Sequence, residues 1–317
     1  MKRHAKIAVV LCCMGAFALS GLAEKAVSQE VKYEDVISSL VYQATSDLIS
    51  ESEMLREAIG VTVYPVEAEL QEDRAPVHVY FKSLEVLETI SAAQRKLGID
   101  PVKVGQIPVK SIVPGDVYRS VQSSLAEVRR IKEQLVVEDT IRRAPLEGGK
   151  TPTYVYKHLG DASFLLDGLV GHPVNRNDVY NHIVFLHDEL ELIAAKRKVA
   201  LELDPPVIDQ QKRMKEVAQK VLKATFKVIN LPTRLDMDAS GVPQITLVRV
   251  SAAEVYEATN ILLAEVVGIN VHLDITLPRQ EHVLSRNKKP RDVLSQVLLQ
   301  IKNLDILAKS ADDYQSA

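Results

Sequence analysis

Apolar residues recur along this chain at intervals of four and three, which is the spacing of a single buried stripe on an α-helix. Stripes with this spacing start at Val155, Val255 and Val293. The most regular stripe consists of Val179, Ile183, Leu186, Leu190 and Ile193. Half-buried strands alternate with a period of two instead, so the pattern predicts an all-α protein built by packing helices on helices.

A short signature precedes these stripes and recurs at a fixed spacing. It reads Pro, any residue, acid, Val, Tyr, with substitutions, and each stripe begins at its Val. It starts in a first phase at Pro76, Pro114 and Pro152, and in a second phase at Arg176, Ala252 and Pro290. Starts within a phase are separated by 38 residues or by twice 38. Such self-similarity is typical of tandem supersecondary units, so the helices are predicted to be copies of one 38-residue repeat.

The signature contains the residue types that begin a helix. Pro lacks an N–H group that the first turn would leave without a partner, and its fixed φ suits the first helical position. Thr151, Asn175 and Ser251 then fall on the N-cap, where a side-chain oxygen accepts from free N–H groups of the first turn. Glu254 falls on the third helical position, so Ser251 and Glu254 predict a capping box.

The two patterns together predict eight helices. Their ranges are 33–59, 76–97, 114–137, 152–170, 176–203, 206–230, 252–269 and 290–310. The first copy, at Tyr33 to Val36, is irregular, and the sixth has lost the Pro and the Tyr. The helices are expected to form two four-helix bundles or a helical solenoid, with halves at residues 24–172 and 173–317.

The connections between helices are long. Gly98–Val113 and Leu231–Val250 exceed the usual loop length of a compact domain. Alternating apolar residues in Gln244–Val250 and Asn270–Leu277 predict short β-strands there. A 15-residue extended connection reaches about 50 Å, whereas a 20-residue helix is about 30 Å long. Such a connection is long enough to return the chain to its starting end, so parallel and antiparallel helices both remain open.

The N-terminal residues predict export. Three basic residues precede an uncharged apolar run over residues 7–23 that ends in small residues, as in a Sec-type signal peptide. We therefore expect residues 1–23 to be a signal peptide, with an uncleaved anchor as the alternative. The mature protein is then expected in the periplasm or secreted, without an integral membrane span.

Composition narrows the chemistry of the mature chain. Cys12 and Cys13 are the only cysteines and would leave with the signal, so no thiol is expected for a disulfide, a metal or catalysis. Loss of three of the 39 basic residues, against 42 acidic ones, changes the net charge from −3 to −6. A mildly acidic exported protein has little electrostatic reason to bind nucleic acid or anionic lipid.

The repeated tyrosines are the first candidate site. They are Tyr80, Tyr118, Tyr156, Tyr180 and Tyr256. In one interpretation each ring packs against a neighbouring helix and its hydroxyl group finds a backbone partner. In the other, the rings line a common groove that binds a peptide, a glycan or an apolar ligand.

A weak calcium candidate lies in the connection before residue 250. Asp236, Asp238 and Ser240 supply oxygen atoms at alternate positions, as calcium loops do, but Leu247 stands where an EF-hand needs a glutamate. A looser calcium turn or a solvated β-turn are the remaining interpretations. No other cofactor is expected. His182 and His187 are five residues apart, which is the wrong angular spacing for a metal pair on one helix.

The chain contains no nucleophile elbow, phosphate-binding glycine loop or haem motif. The sequence therefore favours a non-enzymatic, exported helical-repeat protein that binds a protein partner or acts as an envelope scaffold. The alternative is a sensory or ligand-binding helical module with a tyrosine-lined pocket, and an enzyme at the long loops ranks third. A scaffold predicts tyrosines buried between helices, whereas a ligand module predicts their hydroxyl groups in one cavity.

Overall fold

The computed structural model describes residues 36–61, 70–105, 107–108, 110–170, 174–235, 245, 250–275 and 284–315. These residues form eight helices and no strand, which confirms the all-α prediction. The helices are α1 (Ser38–Ala58), α2 (Pro76–Lys96), α3 (Pro114–Gln134), α4 (Pro152–Val170), α5 (Arg176–Arg197), α6 (Met214–Arg234), α7 (Ala252–His272) and α8 (Pro290–Gln315). The predicted signal peptide lies outside the described residues.

Both phases of the repeat are complete. The helices α1 to α4 start 38 residues apart, and so do α5 to α8. Each helix of the first phase therefore has a counterpart 138 residues later, and we call α1–α4 the N-terminal half and α5–α8 the C-terminal half. The peptide Leu-Ala-Glu-Val at residues 125–128 recurs unchanged at the counterpart residues 263–266.

The predicted starts of the first and sixth helices were wrong. α1 begins at Ser38 rather than at residue 33, and Val41 with Tyr42 is its regular copy of the Val-Tyr signature. α6 begins at Met214 rather than at residue 206. Proline suits an extended segment as well as a first helical turn, and Pro206 lies in an extended connection, where its carbonyl accepts from the hydroxyl of Ser295 at 2.5 Å.

The third helical residue caps most of these helices. The Asp116 carboxylate accepts the backbone N–H of Val113 at 3.1 Å, and Asp292 accepts that of Lys289 at 2.7 Å. The predicted capping box is confirmed at Ser251, which donates its N–H to Glu254. A carboxylate in this position satisfies a free donor and also meets the positive end of the helix dipole.

The helices of the N-terminal half are parallel. The first and fourth residues of all four helices line one small cavity at a single end of the bundle, at Ser38, Val41, Pro76, Val79, Pro114, Val117, Pro152 and Val155. α1 and α2 each pack against α3 and α4. The C-terminal half repeats this pairing, because α5 and α6 each pack against α7 and α8.

Extended segments bring the chain back along each bundle. Asn303 of α8 binds both backbone groups of Glu202, donating to its carbonyl at 3.1 Å and accepting its N–H at 2.9 Å. Asn181 of α5 holds Ser285 in the same way. These side chains replace the strand partners that an isolated extended backbone lacks.

The predicted stripes form the core. Val179, Ile183, Leu186, Leu190 and Ile193 are each at most 1% exposed. The predicted strand at Asn270–Leu277 was wrong over its described part, because residues 270–272 belong to α7 and Asn270 donates to the Glu189 carboxylate. Within Gln244–Val250 the structure describes only residues 245 and 250.

The two halves meet through α2 and α7, which are antiparallel. His78, the third residue of α2, pairs with Glu265 near the end of α7, and Glu88 further along α2 pairs with Tyr256 near the start of α7. Phe81 of α2 extends into the hydrophobic core of the C-terminal half. None of the described helices combines the length and the apolar character needed to cross a membrane.

Candidate functional site

A cluster of buried polar side chains lies where α2, α4 and α7 meet, and we call it the junction. Its centre is Glu85, whose carboxylate binds the Lys82 ammonium at 2.7 Å. The same carboxylate accepts from Asn260 of α7 at 3.0 Å and from Ser163 of α4 at 3.4 Å. All four side chains are buried. One carboxylate therefore joins three helices from both halves of the molecule.

Further polar pairs surround this centre. The His78 imidazole lies 2.8 Å from the Glu265 carboxylate. The Tyr156 hydroxyl donates to Glu257 at 3.0 Å, and the guanidinium of Arg74 lies over the Tyr156 ring at 4.5 Å. These contacts join residues that are between 82 and 187 positions apart in the chain. The junction is thus a network of polar side chains that cross-links helices from both halves.

Burial and neighbouring charges change the pKa values of three groups in and beside this network. Burial disfavours the ammonium form of Lys82, but the neighbouring carboxylates of Glu85 and Glu257 outweigh it and raise the lysine pKa above its usual value. Burial raises the pKa of Asp167 on α4 to about 6, an effect that Glu85 adds to and Lys82 opposes. Burial also raises the pKa of the Tyr156 hydroxyl, which stays protonated and acts as a donor.

The repeated tyrosines do not share one cavity. Tyr156 and Tyr256 donate to glutamates in the junction, and Tyr80 is buried between helices of the N-terminal half. Tyr180 accepts from Gln296 at 3.3 Å, and Tyr118 is half-buried. Their hydroxyl groups therefore do not converge on one cavity, and three of the five bind side chains rather than the backbone partners that the sequence suggested.

Tyr118 lies in a cavity between α1 and α3, which we call the α1/α3 cavity. Its volume is about 290 Å³. It is lined by Ala44, Asp47, Tyr118, Gln122, Leu125, Arg129, Ile141 and Arg143. Its two guanidinium groups are held in place, since Arg129 pairs with Glu51 at 2.8 Å and Arg143 donates to Gln43 at 3.2 Å. The cavity lining combines the ring of Tyr118 and three aliphatic side chains with four polar or charged ones.

The histidines of α5 have separate roles. The His182 ring packs against the Tyr256 ring, with centroids 4.6 Å apart and a tilt of 52°. Burial lowers the pKa of His182 to about 4, so it is neutral at physiological pH. His187 lies 3.1 Å from the Gln300 side chain on α8. No group of three potential metal ligands occurs among the described residues. The calcium candidates Asp236, Asp238 and Ser240 lie outside those residues.

Sequence reasoning missed the centre of the junction. Lys82, Glu85 and Asn260 belong to no motif, and charged residues three apart on a helix are usually a solvated pair. The one available signal is that α2 carries apolar residues on several sides. Phe81, Leu84 and Val86 surround Lys82, which indicates a helix buried on more than one face.

Asp167 gives the junction a specific pH dependence. The folded protein holds this proton more tightly than the unfolded chain, so the stability it contributes is complete below its unfolded pKa of 3.8 and is lost as the pH rises through about 6. We expect the free energy of unfolding to fall by about 1–2 kcal/mol more in the wild type than in Asp167→Asn between pH 4 and 7, allowing for solvent screening.

Urea unfolding at several pH values measures this difference. Asp305→Asn is the matched control, because Asp305 is the counterpart of Asp167 on α8 and its side chain is 58% exposed. The free energy of unfolding of this control should change with pH as that of the wild type does. If the free energy of unfolding changed equally with pH in the wild type and in Asp167→Asn, this role of Asp167 would be contradicted.

Similarity to known proteins does not decide the function. Comparison with protein-family models, with characterised proteins and with solved structures finds no match to this chain.

Proposed function

We propose that the protein is a non-enzymatic scaffold outside the cytoplasm that binds other protein chains through its helix faces. The observation that carries this proposal is the use of the repeated residues. The hydroxyl groups of Tyr156 and Tyr256 donate to glutamates on neighbouring helices. In the junction, Asn260 donates to Glu85 across the two halves. A residue that is repeated with the fold and serves its packing supports a structural role for the repeat.

Exposed helix faces support protein binding. On α6, Leu222 is 36% and Phe226 is 66% exposed, on the same side of the helix. Large apolar side chains that share an exposed face are typical of protein interaction sites. α2, the counterpart of α6, uses the corresponding side to bind α7. The fold thus already uses this face of the repeat for helix–helix association.

Site-specific photo-crosslinking in cells tests this function. A photoreactive amino acid at Phe226 is expected to give a discrete protein adduct. The control is Leu203, which is 68% exposed on the same half but lies in an extended segment, and it should give none. Adducts at both positions, or at neither, would contradict a scaffold that binds through α6.

The α1/α3 cavity supports a second candidate function, the binding of a small polar molecule. Tyr118, Gln122 and the guanidinium groups of Arg129 and Arg143 provide donors beside the aliphatic side chains of the cavity lining. In that case a metabolite fraction should raise the Tm of the wild type and not that of Tyr118→Ala. Photo-crosslinking at Phe226 would then yield no protein adduct.

A further inference from the structure

The contact between the two halves leaves its own counterparts uncovered. α2 packs on α7, the counterpart of α2 is α6, and the counterpart of α7 is α3. Among the described helices, α6 packs against α7 and α8 alone, and α3 against α1 and α2 alone. The extended segments also bond to α3, through Lys132 to the Asp139 carbonyl and through Arg130 to the Asp100 carbonyl. Each half therefore presents an open version of the face that the other half uses at the junction.

The open face of α3 retains the polar positions of the occupied face of α7. Tyr118 and Gln122 correspond to Tyr256 and Asn260, which bind Glu88 and Glu85 of α2. Both positions keep their chemistry, a phenol and a carboxamide. In the C-terminal half these groups are buried beneath α2, whereas in the N-terminal half they line the α1/α3 cavity.

The α1/α3 cavity has room for an aromatic ring. Ala44 lies where the C-terminal half has His182, whose ring packs against that of Tyr256. Replacement of an imidazole by a methyl group leaves space beside Tyr118. A cavity of about 150 Å³ already binds benzene, and the α1/α3 cavity has about 290 Å³.

The open face of α6 supplies such a ring. Phe226 is the counterpart of Glu88, the residue that reaches Tyr256 at the junction. If α6 packed on α3 as α2 packs on α7, the phenyl group would enter the α1/α3 cavity beside Tyr118. Lys223, the counterpart of Glu85, would then face the carboxamide of Gln122.

Charge favours the same pairing. The residues of α6 have a net charge of +4, from five basic residues and one acid, and those of α1 have a net charge of −3, from four acids and one base. Those of α3 have a net charge of +1, from four basic residues and three acids, so the complementary charge of the groove comes from α1. Antiparallel packing places the start of α6, with Lys215 and Lys220, toward the end of α1, with the exposed Glu53 and Glu57. Opposite charges on two approaching surfaces steer their association.

We propose that α6 of one copy occupies the groove between α1 and α3 of a second copy, so that the chain assembles head to tail. This inference rests on the proposed scaffold function and names its partner. The two surfaces differ, so the contact is heterologous and each added copy exposes a fresh groove or a fresh α6. Assembly ends when a ring closes and otherwise continues as a filament.

Two variants that each block one face test the inference by light scattering. Phe226→Lys places a cation beside the Arg129 and Arg143 guanidinium groups that line the cavity. Ala126→Arg places a long side chain on the face of α3, where the counterpart Ala264 is fully buried. The mass of the wild-type full chain should rise with concentration above that of one copy. Each variant alone should remain monomeric, and an equimolar mixture should form a dimer and nothing larger.

The control and the contrary outcomes are distinct. Leu203→Lys should assemble like the wild type, because Leu203 is about as exposed as Phe226 but lies outside both faces. Circular dichroism verifies that the variants are folded, and Leu222→Lys provides a second block of α6, because Leu222 shares the exposed face of Phe226. A monomeric wild type whose Phe226 crosslinks to a different protein would overturn this inference and leave the scaffold function standing. Absence of any adduct would overturn both.

Discussion

Lys82→Met is expected to destabilise the protein by about 3–5 kcal/mol, because it leaves the Glu85 carboxylate buried without its counter-ion. Lys82 and Glu85 are 2.7 Å apart, and their side chains are 8% and 10% exposed. Asn260 and Ser163 still donate to Glu85 in this variant, but neutral donors do not replace a positive charge. The loss is therefore expected to be only partly offset by hydrogen bonding.

Urea unfolding of single and double variants measures this effect. The double variant Lys82→Met with Glu85→Gln should recover much of the lost free energy, since it removes both charges. Lys220→Met is the matched control, because Lys220 is the counterpart of Lys82 on α6 and is only half-buried. Its effect should stay within about 0.5 kcal/mol. A Lys82→Met effect of similar size would contradict the role of the buried pair.

Asn303→Leu is expected to destabilise the protein by about 2–4 kcal/mol. Asn303 is fully buried, accepts the Glu202 N–H at 2.9 Å and donates to the Glu202 carbonyl at 3.1 Å. Leucine has a similar volume but no polar group, so two backbone groups lose their partner at once. Glu202 is an exposed residue, so water reaches its freed backbone groups in part, and each lost hydrogen bond is expected to cost about 1–2 kcal/mol.

Hydrogen exchange identifies the cause of this loss. The Glu202 amide should be protected in the wild type and should exchange much faster in Asn303→Leu, ahead of the core of α8. Asn230→Leu is the control, because Asn230 is exposed and bonds only to the carbonyl of Phe226 in its own helix. Unchanged protection at Glu202 would show that the side chain of Asn303 does not hold the returning segment.

Helix starts were predictable from sequence where the chemistry is local. The acids at positions 116, 178, 254 and 292 each accept a backbone N–H group three residues earlier, as their places in the signature indicated. Such caps depend on four consecutive residues and need no tertiary partner. The prediction failed at residue 206, where Pro206 suits both a first helical turn and an extended segment, and only the neighbouring α8 distinguishes them.

The candidate site could not be read from the sequence, because its contacts are long-range. Glu85 and Asn260 are 175 positions apart, and His78 and Glu265 are 187 apart. A lysine and a glutamate three residues apart have the same local pattern on a solvated helix and in a core. Only the packing of α7 on α2 removes them from water and makes their charges matter.

Capping and helical periodicity act over a few residues, so the eight helices, their 38-residue spacing and the stripe that each one buries follow from the sequence alone. Tertiary packing set the common direction of the helices of the N-terminal half. Connections of about 17 residues permit either direction, so only the contacts between the helices determine it. Tertiary packing also decided which faces meet at the junction and which, on α3 and α6, stay open. That choice depends on complementarity between surfaces that are distant in the chain.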